Sequence, residues 1–234
     1  MENTNNQQTI DYNLQPTVGS SYGMSWEVMK KNFLELLLVL VIYMAIGIPA
    51  GIGRFGAEAA GLGAGGILLG LFSIVYGVFV IGPVAYGMAL AFLKVTRGER
   101  FDVADVFEGF KENYLQIILA NLLIFAIVMA GIILLIVPGI IFACKLAFVP
   151  YLVMDKKMEA IDAVKKSWEM TKGHAWTIFF IGLLTIPIVI MGIILLIVGI
   201  IPAIIWCEGA SAAIYHAVDK ELHPPIEEEA VAAE

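Results

Sequence analysis

The sequence predicts an all-α, polytopic membrane protein whose six transmembrane helices form three tandem helical hairpins. Of its 234 residues, 60% are hydrophobic and only 15% are charged, against about 25% charged in a typical soluble domain. The apolar residues are gathered into long runs, and the mean hydropathy is +0.88. A short polar signature precedes three of these runs. This composition excludes a disordered chain, a coiled coil and an ordinary soluble enzyme.

Six apolar runs come close to the length of about 20 residues that a helix needs to cross a hydrocarbon core. They cover residues 33–49, 67–93, 115–137, 139–154, 175–198 and 200–218. Residues 51–66, which include seven glycines, are interpreted as a loose connection between the first two spans. An even number of spans places both termini on one side of the membrane.

The basic residues are distributed very unequally about these runs. Arg54 lies beyond the first span, and Lys145 lies within the fourth. The other twelve lie on the side of the termini: Lys30, Lys31, Lys94, Arg97, Arg100, Lys111, Lys156, Lys157, Lys165, Lys166, Lys172 and Lys220. Because loops rich in lysine and arginine stay in the cytoplasm, both termini are predicted to be cytoplasmic. The net charge of −7 argues against nucleic acid as a partner.

Three polar segments share the pattern aromatic-Glu-x-x-Lys ahead of an apolar run. The pattern begins at Trp26, Phe107 and Trp168. The sequence GIILLIV also occurs twice, at 131–137 and 192–198. We therefore predict a triplicated unit. Internal repeats are frequent in transporters, and gene multiplication without a transport role produces them equally well.

These repeats divide the chain into predicted segments. A disordered polar tail (1–19) precedes a six-span membrane domain (20–220), and an acidic tail (221–234) follows it. Within the membrane domain, the repeat units cover about 20–98, 99–157 and 158–220.

Each signature segment is predicted to form an amphipathic helix in the cytoplasmic interface. In residues 102–113 the apolar side chains recur at i, i+3, i+4 and i+7, at Val103, Val106, Phe107 and Phe110. The side chains expected to anchor the three helices among the lipid headgroups are Trp26, Phe107, Phe110 and Trp168. Anchoring is the general use of such helices, and the alternative is a lateral gate or a docking surface for a cytoplasmic partner.

Two ionisable residues lie deep inside the apolar runs, near mid-membrane, where charges are rare and usually functional. Lys145 lies ten residues before Asp155, and Glu208 lies eleven residues before Asp219. At 1.5 Å per residue, both are about 15 Å from the cytoplasmic boundary. We predict an intramembrane polar pair that fixes how the hairpins pack, with a substrate or proton site as the alternative. The small residues that follow are predicted positions of close helix packing: Gly209, Ser211 and Ala213.

Three segments carry a resemblance to a known group: VFEGFK at 106–111, IVPGI at 136–140 and AVKKSWEMTKG at 163–173. They resemble a prokaryotic integral membrane family that includes the membrane domain of some glycerophosphoryl diester phosphodiesterases and related six-span proteins of unknown role. The resemblance covers most of residues 20–220 and implies a multi-pass protein of the cytoplasmic (inner) membrane of a prokaryote. It supplies no catalytic residue. The phosphodiesterase domain has no counterpart in this sequence, so its activity is not implied.

The sequence contains no pattern typical of an enzyme, such as a Ser/His/Asp, Cys/His or paired-carboxylate arrangement, and its three histidines are far apart. We therefore expect no catalysis, cofactor or metal. The expected function is a non-catalytic membrane scaffold, or a module that contacts lipids, another membrane protein or a second copy of the chain. The alternative is a small transporter or channel for an amphiphilic or small solute that uses Lys145 and Glu208.

Overall fold

A computed structural model describes residues 14–61, 63–111, 113–194 and 199–223. Every regular element within those ranges is helical, and six helical segments in them are long and apolar enough to cross a membrane. The chain is thus a multi-pass helical membrane protein. The six segments are Phe33–Ala60, Ala64–Thr96, Tyr114–Leu134, Ile136–Asp155, Ala175–Ile194 and Ile200–Leu222.

Four of these spans are single helices, and the second and fourth are interrupted. In chain order the α-helices are α1 (Val18–Lys31), α2 (Phe33–Ala60), α3 (Ala64–Tyr76), α4 (Gly82–Thr96), α5 (Tyr114–Leu134), α6 (Ile136–Lys145), α7 (Val149–Asp155), α8 (Ala160–Met170), α9 (Ala175–Ile194) and α10 (Ile200–Leu222). A π-helix, Gly77–Ile81, joins α3 to α4, and a 3-10 helix, Val103–Phe110, precedes α5.

The described residues form two compact units that cut across the predicted repeats. Among the described residues, the first unit contains 14–33, 92–101, 169–194 and 199–223, and the second contains 34–61, 63–91, 102–111 and 113–168. In the first unit α1 packs extensively on α10, and α10 packs on α9. In the second unit α5 packs on α6. The boundaries of the three repeats therefore stay a sequence prediction.

The first span is longer than its sequence pattern indicated. Helix α2 continues to Ala60, so the prediction of a loose connection over residues 51–66 was wrong for most of that segment. The glycines here serve close packing between α2 and α3. A Cβ atom at Gly53 would lie 2.5 Å from the Ser73 hydroxyl oxygen, and that hydroxyl donates to the carbonyl of Ala50 at 3.2 Å.

A proline explains the irregular second span. The N–H of Gly82 bonds to the carbonyl of Gly77 five residues earlier, and Pro83 follows directly. Proline has no N–H to donate to the carbonyl four residues before it, which is that of Phe79. The Tyr114 hydroxyl of α5 donates to this carbonyl at 2.9 Å. A side chain from a neighbouring helix thus donates to a carbonyl that the proline itself cannot bond.

The second hairpin turns two residues before the predicted end of the third span at residue 137. Leu135 has φ −170° and ψ 151° and separates α5 from α6. Pro138 lies inside the first turn of α6, where the missing N–H removes no helical hydrogen bond. A Cβ atom at Gly131 would lie 2.8 Å from the Cα atom of Gly139, so α5 and α6 approach each other closely at this turn. In the third hairpin, residues 195–198 of the predicted fifth span lie outside the described residues.

The segment before α5 is a 3-10 helix, which changes its buried face. Two acidic side chains cap its N-terminus, because Asp102 accepts from the N–H of Ala104 and Asp105 accepts from the N–H of Asp102. With three residues per turn, positions i and i+3 share a face. Val106 and Gly109 are therefore buried. Of the four residues of the predicted apolar face, Val106 is buried in the protein, and Val103, Phe107 and Phe110 are exposed. Contact of this face with lipid headgroups stays a prediction.

The backbone contact between α5 and α6 gives a test of this hairpin. The substitution Gly131→Ala is expected to lower the free energy of unfolding in detergent by about 1–3 kcal/mol, because the new methyl group meets backbone atoms that cannot rotate away. Gly182→Ala is the matched control, since nothing lies within 4 Å of a Cβ atom there. It should change stability by less than about 1 kcal/mol. Equal effects at the two positions would contradict the assignment.

Candidate functional site

The two intramembrane ionisable residues occupy different surroundings. Lys145 is the last residue of α6, at the point where the fourth span is interrupted before α7. Glu208 lies in unbroken α10, between the buried residues Cys207 and Gly209. Lys145 belongs to the second compact unit and Glu208 to the first. Their pairing therefore stays a sequence prediction.

Ser167 binds the interrupted backbone beside Lys145. Pro150 has no N–H for the carbonyl four residues before it, and α7 begins at Val149 after a short turn. The buried Ser167 hydroxyl donates to the carbonyl of Lys145 at 2.7 Å, and its oxygen accepts from the N–H of Phe148 at 3.3 Å. One side chain of α8 therefore bonds to backbone groups on both sides of the interruption.

Ser25 makes a related contact in the first unit. Its hydroxyl donates to the carbonyl of Trp206 on α10 at 2.6 Å. A Cβ atom at Gly209 would collide with the Ser25 hydroxyl oxygen. Both serines belong to the shared sequence Ser-Trp-Glu, at 25–27 and 167–169. Ser167 bonds to the carbonyl of Lys145 itself, and Ser25 bonds to the carbonyl two residues before Glu208.

Tyr22 extends the contact between α1 and the third hairpin. Its hydroxyl donates to the carbonyl of Ile181 at 2.9 Å and lies 3.4 Å from the Thr185 hydroxyl on α9. Its own carbonyl accepts from the indole N–H of Trp206 at 2.8 Å, and the two rings pack edge to face at 5.5 Å. Burial of the phenol raises the pKa of Tyr22 to about 12.

These bonds differ from what a helix in the headgroup plane requires. Trp206 is 13 residues from Asp219 near the end of α10, which is about 20 Å along a helix. The residues of α1 that are buried include Ser21, Tyr22 and Ser25 as well as apolar side chains. Helix α1 therefore contacts the middle of α10, far from its C-terminal end, through a partly polar face. Its position in the interface stays a prediction.

The four predicted aromatic anchors divide into two pairs. Trp26 lies 5.2 Å from the ring of Trp206, and Trp168 lies 5.5 Å from the ring of Phe142 on α6. Each tryptophan thus packs against an aromatic residue of a span. The other two, Phe107 and Phe110, stay exposed on the 3-10 helix.

The charged positions of the repeated signature make different contacts. Glu27 pairs with Lys30 within α1 at 2.6 Å, whereas Glu108 pairs with Lys157, a distant residue of the same unit, at 2.6 Å. The predicted packing residues all lie on α10. Gly209 and Ala213 are buried, and the Ser211 hydroxyl donates to the carbonyl of Cys207 at 3.3 Å.

Sequence reasoning missed the serines and the polar end of α10. The Ser-Trp-Glu triplet occurs twice, so both serines were visible in the sequence, but only the tryptophan and the glutamate were interpreted. Asp219 is 8% exposed, and one of its oxygens lies 3.4 Å from a terminal nitrogen of Arg97. Its other oxygen lies 3.4 Å from Nδ1 of His223.

A cleft of about 540 Å³ opens between α2 and α3 in the second unit. We call it the hairpin cleft; its walls are Gly47, Ala50, Gly51, Arg54, Ala57, Glu58, Gly70, Ser73, Ile74, Gly77 and Ile81. Neither Lys145 nor Glu208 lines it. Among the described residues, no three His, Cys, Asp or Glu side chains come together as metal ligands would.

The chain matches no protein-family model, no curated protein and no solved structure. The family resemblance therefore stays an expectation.

Mutation of Ser25 tests the contact between α1 and α10. We expect Ser25→Leu to lower the free energy of unfolding in detergent by about 1–3 kcal/mol, because the larger side chain meets Gly209 and the bond to Trp206 is lost. Gly23→Leu on the same helix is the control, since open space surrounds Gly23. Thermal unfolding of the purified variants measures both. A Ser25→Leu variant as stable as Gly23→Leu would show that the contact of Ser25 with α10 does not stabilise the fold.

The pKa of Tyr22 gives a second test. Below pH 10 the phenol is protonated in both the folded and the unfolded chain, and burial contributes its full stabilisation. The unfolded chain loses this proton near pH 10 and the folded chain only near pH 12. Stability therefore falls between these values. The free energy of unfolding, measured from pH 9 to pH 12, should fall less steeply for Tyr22→Phe than for the wild type. Identical slopes would show that the Tyr22 phenol is not buried in the folded protein.

Proposed function

We propose that the protein is a non-catalytic scaffold of a prokaryotic cytoplasmic membrane, built from three tandem hairpin repeats with both termini in the cytoplasm. Its role is to present stable apolar surfaces to lipids and to a membrane-protein partner. The observation that carries this proposal is the use of polar side chains near and within the spans. They bond to backbone carbonyls of neighbouring helices, so they hold the bundle together.

The bonds recur in both compact units. In the first unit, Tyr22 and Ser25 donate to carbonyls of α9 and α10. In the second, the donors are Ser73, Tyr76, Tyr114 and Ser167, and every acceptor is a main-chain oxygen. A route for a polar solute needs side chains that face a continuous wet cavity. Groups bonded to the backbone are poorly suited to that task.

The paired serine contacts support the triplication. Ser25 bonds to the second span of the third hairpin, and Ser167 bonds to the second span of the second hairpin. The 3-10 helix follows the same rule, because a Cβ atom at Gly87 of the second span would collide with the carbonyl of Val106. Each segment ahead of a hairpin thus packs on the returning span of another hairpin. Repeated use of one contact is the expected result of a multiplied unit.

The topology rests on the distribution of charge. Lysines and arginines are concentrated in the segments that precede and follow the hairpins, on the side of both termini. The positive-inside rule assigns this side to the cytoplasm. Phe107 and Phe110, which are exposed on the 3-10 helix, suit a place among the lipid headgroups.

One feature favours the transporter alternative. The fourth span is interrupted directly after Lys145, and interrupted helices near mid-membrane form the substrate sites of many transporters. Ser167 bonds to the carbonyl that this interruption frees, which favours a structural reading. Water access decides between the two functions.

The native cysteines report on water access at both ionisable positions. Cys144 precedes Lys145, Cys207 precedes Glu208, and both thiols are free. Each would be kept alone by replacing the other with alanine, in membrane fragments open on both sides. A sulfonated maleimide reacts with thiolates in water. We expect neither cysteine to be labelled until the protein is denatured, as judged by intact-protein mass.

Arg100→Cys in the cysteine-free background is the control, because Arg100 is exposed in a connecting segment. It should label fully. Labelling of Cys144 or Cys207 at a comparable rate would reveal a water-filled path and favour transport over the scaffold.

A further inference from the structure

We propose that the tip of the second hairpin binds the acyl chains of phospholipids and ends inside the leaflet far from the termini, short of the water on that side. We call residues 132–137 the second-hairpin tip. The proposal rests on the scaffold function, because it names the lipids that one apolar surface of the scaffold meets. Its evidence lies in the composition of this hairpin, in its length and exposure, and in the bonding of its turn.

The second hairpin has no side chain that anchors it at the far side of the membrane. Residues 122–144 contain no charged, hydroxyl or amide group and no tryptophan or tyrosine. Basic, tryptophan and tyrosine side chains normally mark the place where a span leaves the hydrocarbon. The first hairpin differs, because the far end of α2 carries Arg54 and Glu58, whose side chains are 81% and 70% exposed. Of these two hairpins, only the first has groups suited to water at its far end.

The length of α5 places the tip at the edge of the hydrocarbon. Helices α2 and α5 begin within three residues of an exposed lysine, Lys31 and Lys111 respectively, so their starting depths are comparable. Helix α5 has 21 residues, or about 32 Å, and a typical tilt of about 20° reduces this to the hydrocarbon thickness of about 30 Å. Glu58 follows the start of α2 by 25 residues, which is about 38 Å. The first hairpin therefore extends further than the second.

The turn leaves few backbone donors without a bond. Four N–H groups at the start of a helix have no partner within it, and here they belong to residues 135–138. The N–H of Leu135 donates to the carbonyl of Gly131 at 3.0 Å, and the Leu135 carbonyl accepts from the N–H of Gly139 at 3.4 Å. Pro138 has no N–H. In this described part of the chain, two donors remain on the two residues after Leu135, and lipid ester carbonyls can accept from them. Such a turn can end among lipids at a lower cost than a polar loop.

The tip is exposed in every direction. Its six residues are 44% to 80% exposed: Ile132, Ile133, Leu134, Leu135, Ile136 and Val137. Consecutive residues of a helix point to all sides, so a single neighbouring helix could not cover them. Gly131 and Gly139, which flank the tip, are buried against each other. Fluid acyl chains can surround such a surface, whereas its contact with water is unfavourable.

Lipid is therefore the occupant that this surface fits. A specific protein interface has an apolar centre with a polar rim, and residues 122–144 supply no polar side chain for a rim. The headgroups of the far leaflet lie beyond the tip, so a water-soluble partner on that side meets lipid at this hairpin. A membrane-protein partner or a second copy over the tip is an outcome of the test below.

Collision of a nitroxide with two reagents tests where the tip lies. Dissolved oxygen concentrates in hydrocarbon, whereas a neutral nickel chelate stays in water. Leu135→Cys and Ile133→Cys, each in a full chain without Cys144 and Cys207, are spin-labelled in detergent. They are then reconstituted into vesicles of phosphatidylethanolamine and phosphatidylglycerol, with the nickel chelate on both sides. Power saturation of the spin-label spectrum measures both collision rates. Two tip positions are used so that one poorly folded variant does not decide the result.

Matched positions calibrate the result. Phe125→Cys reports hydrocarbon, because Phe125 lies near the middle of α5 and is 66% exposed. Arg100→Cys reports water, and Glu58→Cys reports the far end of the first hairpin. We expect the tip labels to resemble Phe125→Cys, with frequent oxygen collisions. Their nickel collision rate should be about tenfold lower than at Arg100→Cys or Glu58→Cys, because the polar chelate is excluded from hydrocarbon.

Two results would overturn the proposal. Nickel collisions at the tip as frequent as at Arg100→Cys would place the tip in water, and low collision rates with both reagents would show that protein covers it. The thiol-labelling experiment is independent of these results. Labelled Cys144 or Cys207 would remove the scaffold function, whereas a tip in water with protected thiols would remove this inference alone.

Discussion

A backbone carbonyl inside hydrocarbon has no water to bond, and most of this structure follows from that constraint. Beside two of the prolines within the spans, a hydroxyl from a neighbouring helix bonds to a backbone carbonyl. Tyr114 bonds at Phe79, four residues before Pro83. Ser167 bonds at Lys145, beside the interruption that precedes Pro150. Because leaving a buried carbonyl unsatisfied costs more than the bond itself contributes, each hydroxyl fixes the position of the helix that carries it.

The same constraint explains why the short segments ahead of the hairpins pack on the spans. Helix α1 bonds to α10 through Ser25, the 3-10 helix meets the second span at Gly87, and α8 bonds to the fourth span through Ser167. Polar side chains make these contacts specific, since apolar surfaces alone give little preference for one neighbour over another in lipid. The scaffold proposal extends this reasoning to function.

The sequence was a good guide to what composition controls. Six apolar segments predicted from the pattern are present as six helical segments capable of spanning a membrane among the described residues. Prediction from the sequence failed where contacts between distant residues determine the local structure. Glycines of the first hairpin suggested a loop, yet Gly53 lies in α2, where Ser73 of α3 packs against it. The segment at Val106 was predicted with the period of an α-helix, and its 3-10 geometry buries Gly109 instead of Phe107 and Phe110. Of the candidate site, the ionisable positions were visible in sequence, but the serine bonds beside them required the fold.

The bond between Ser25 and Trp206 joins residues 181 positions apart. During synthesis, α1 leaves the ribosome first, and α10 follows only after nearly every other helix has been made. Closing so long a loop is slow, because its entropy is lost before the contact forms. Until α10 is made, the Ser25 hydroxyl has no native acceptor, and α1 cannot take its final position on that helix. Completion of the last helix is thus the event that brings the first one into its final place.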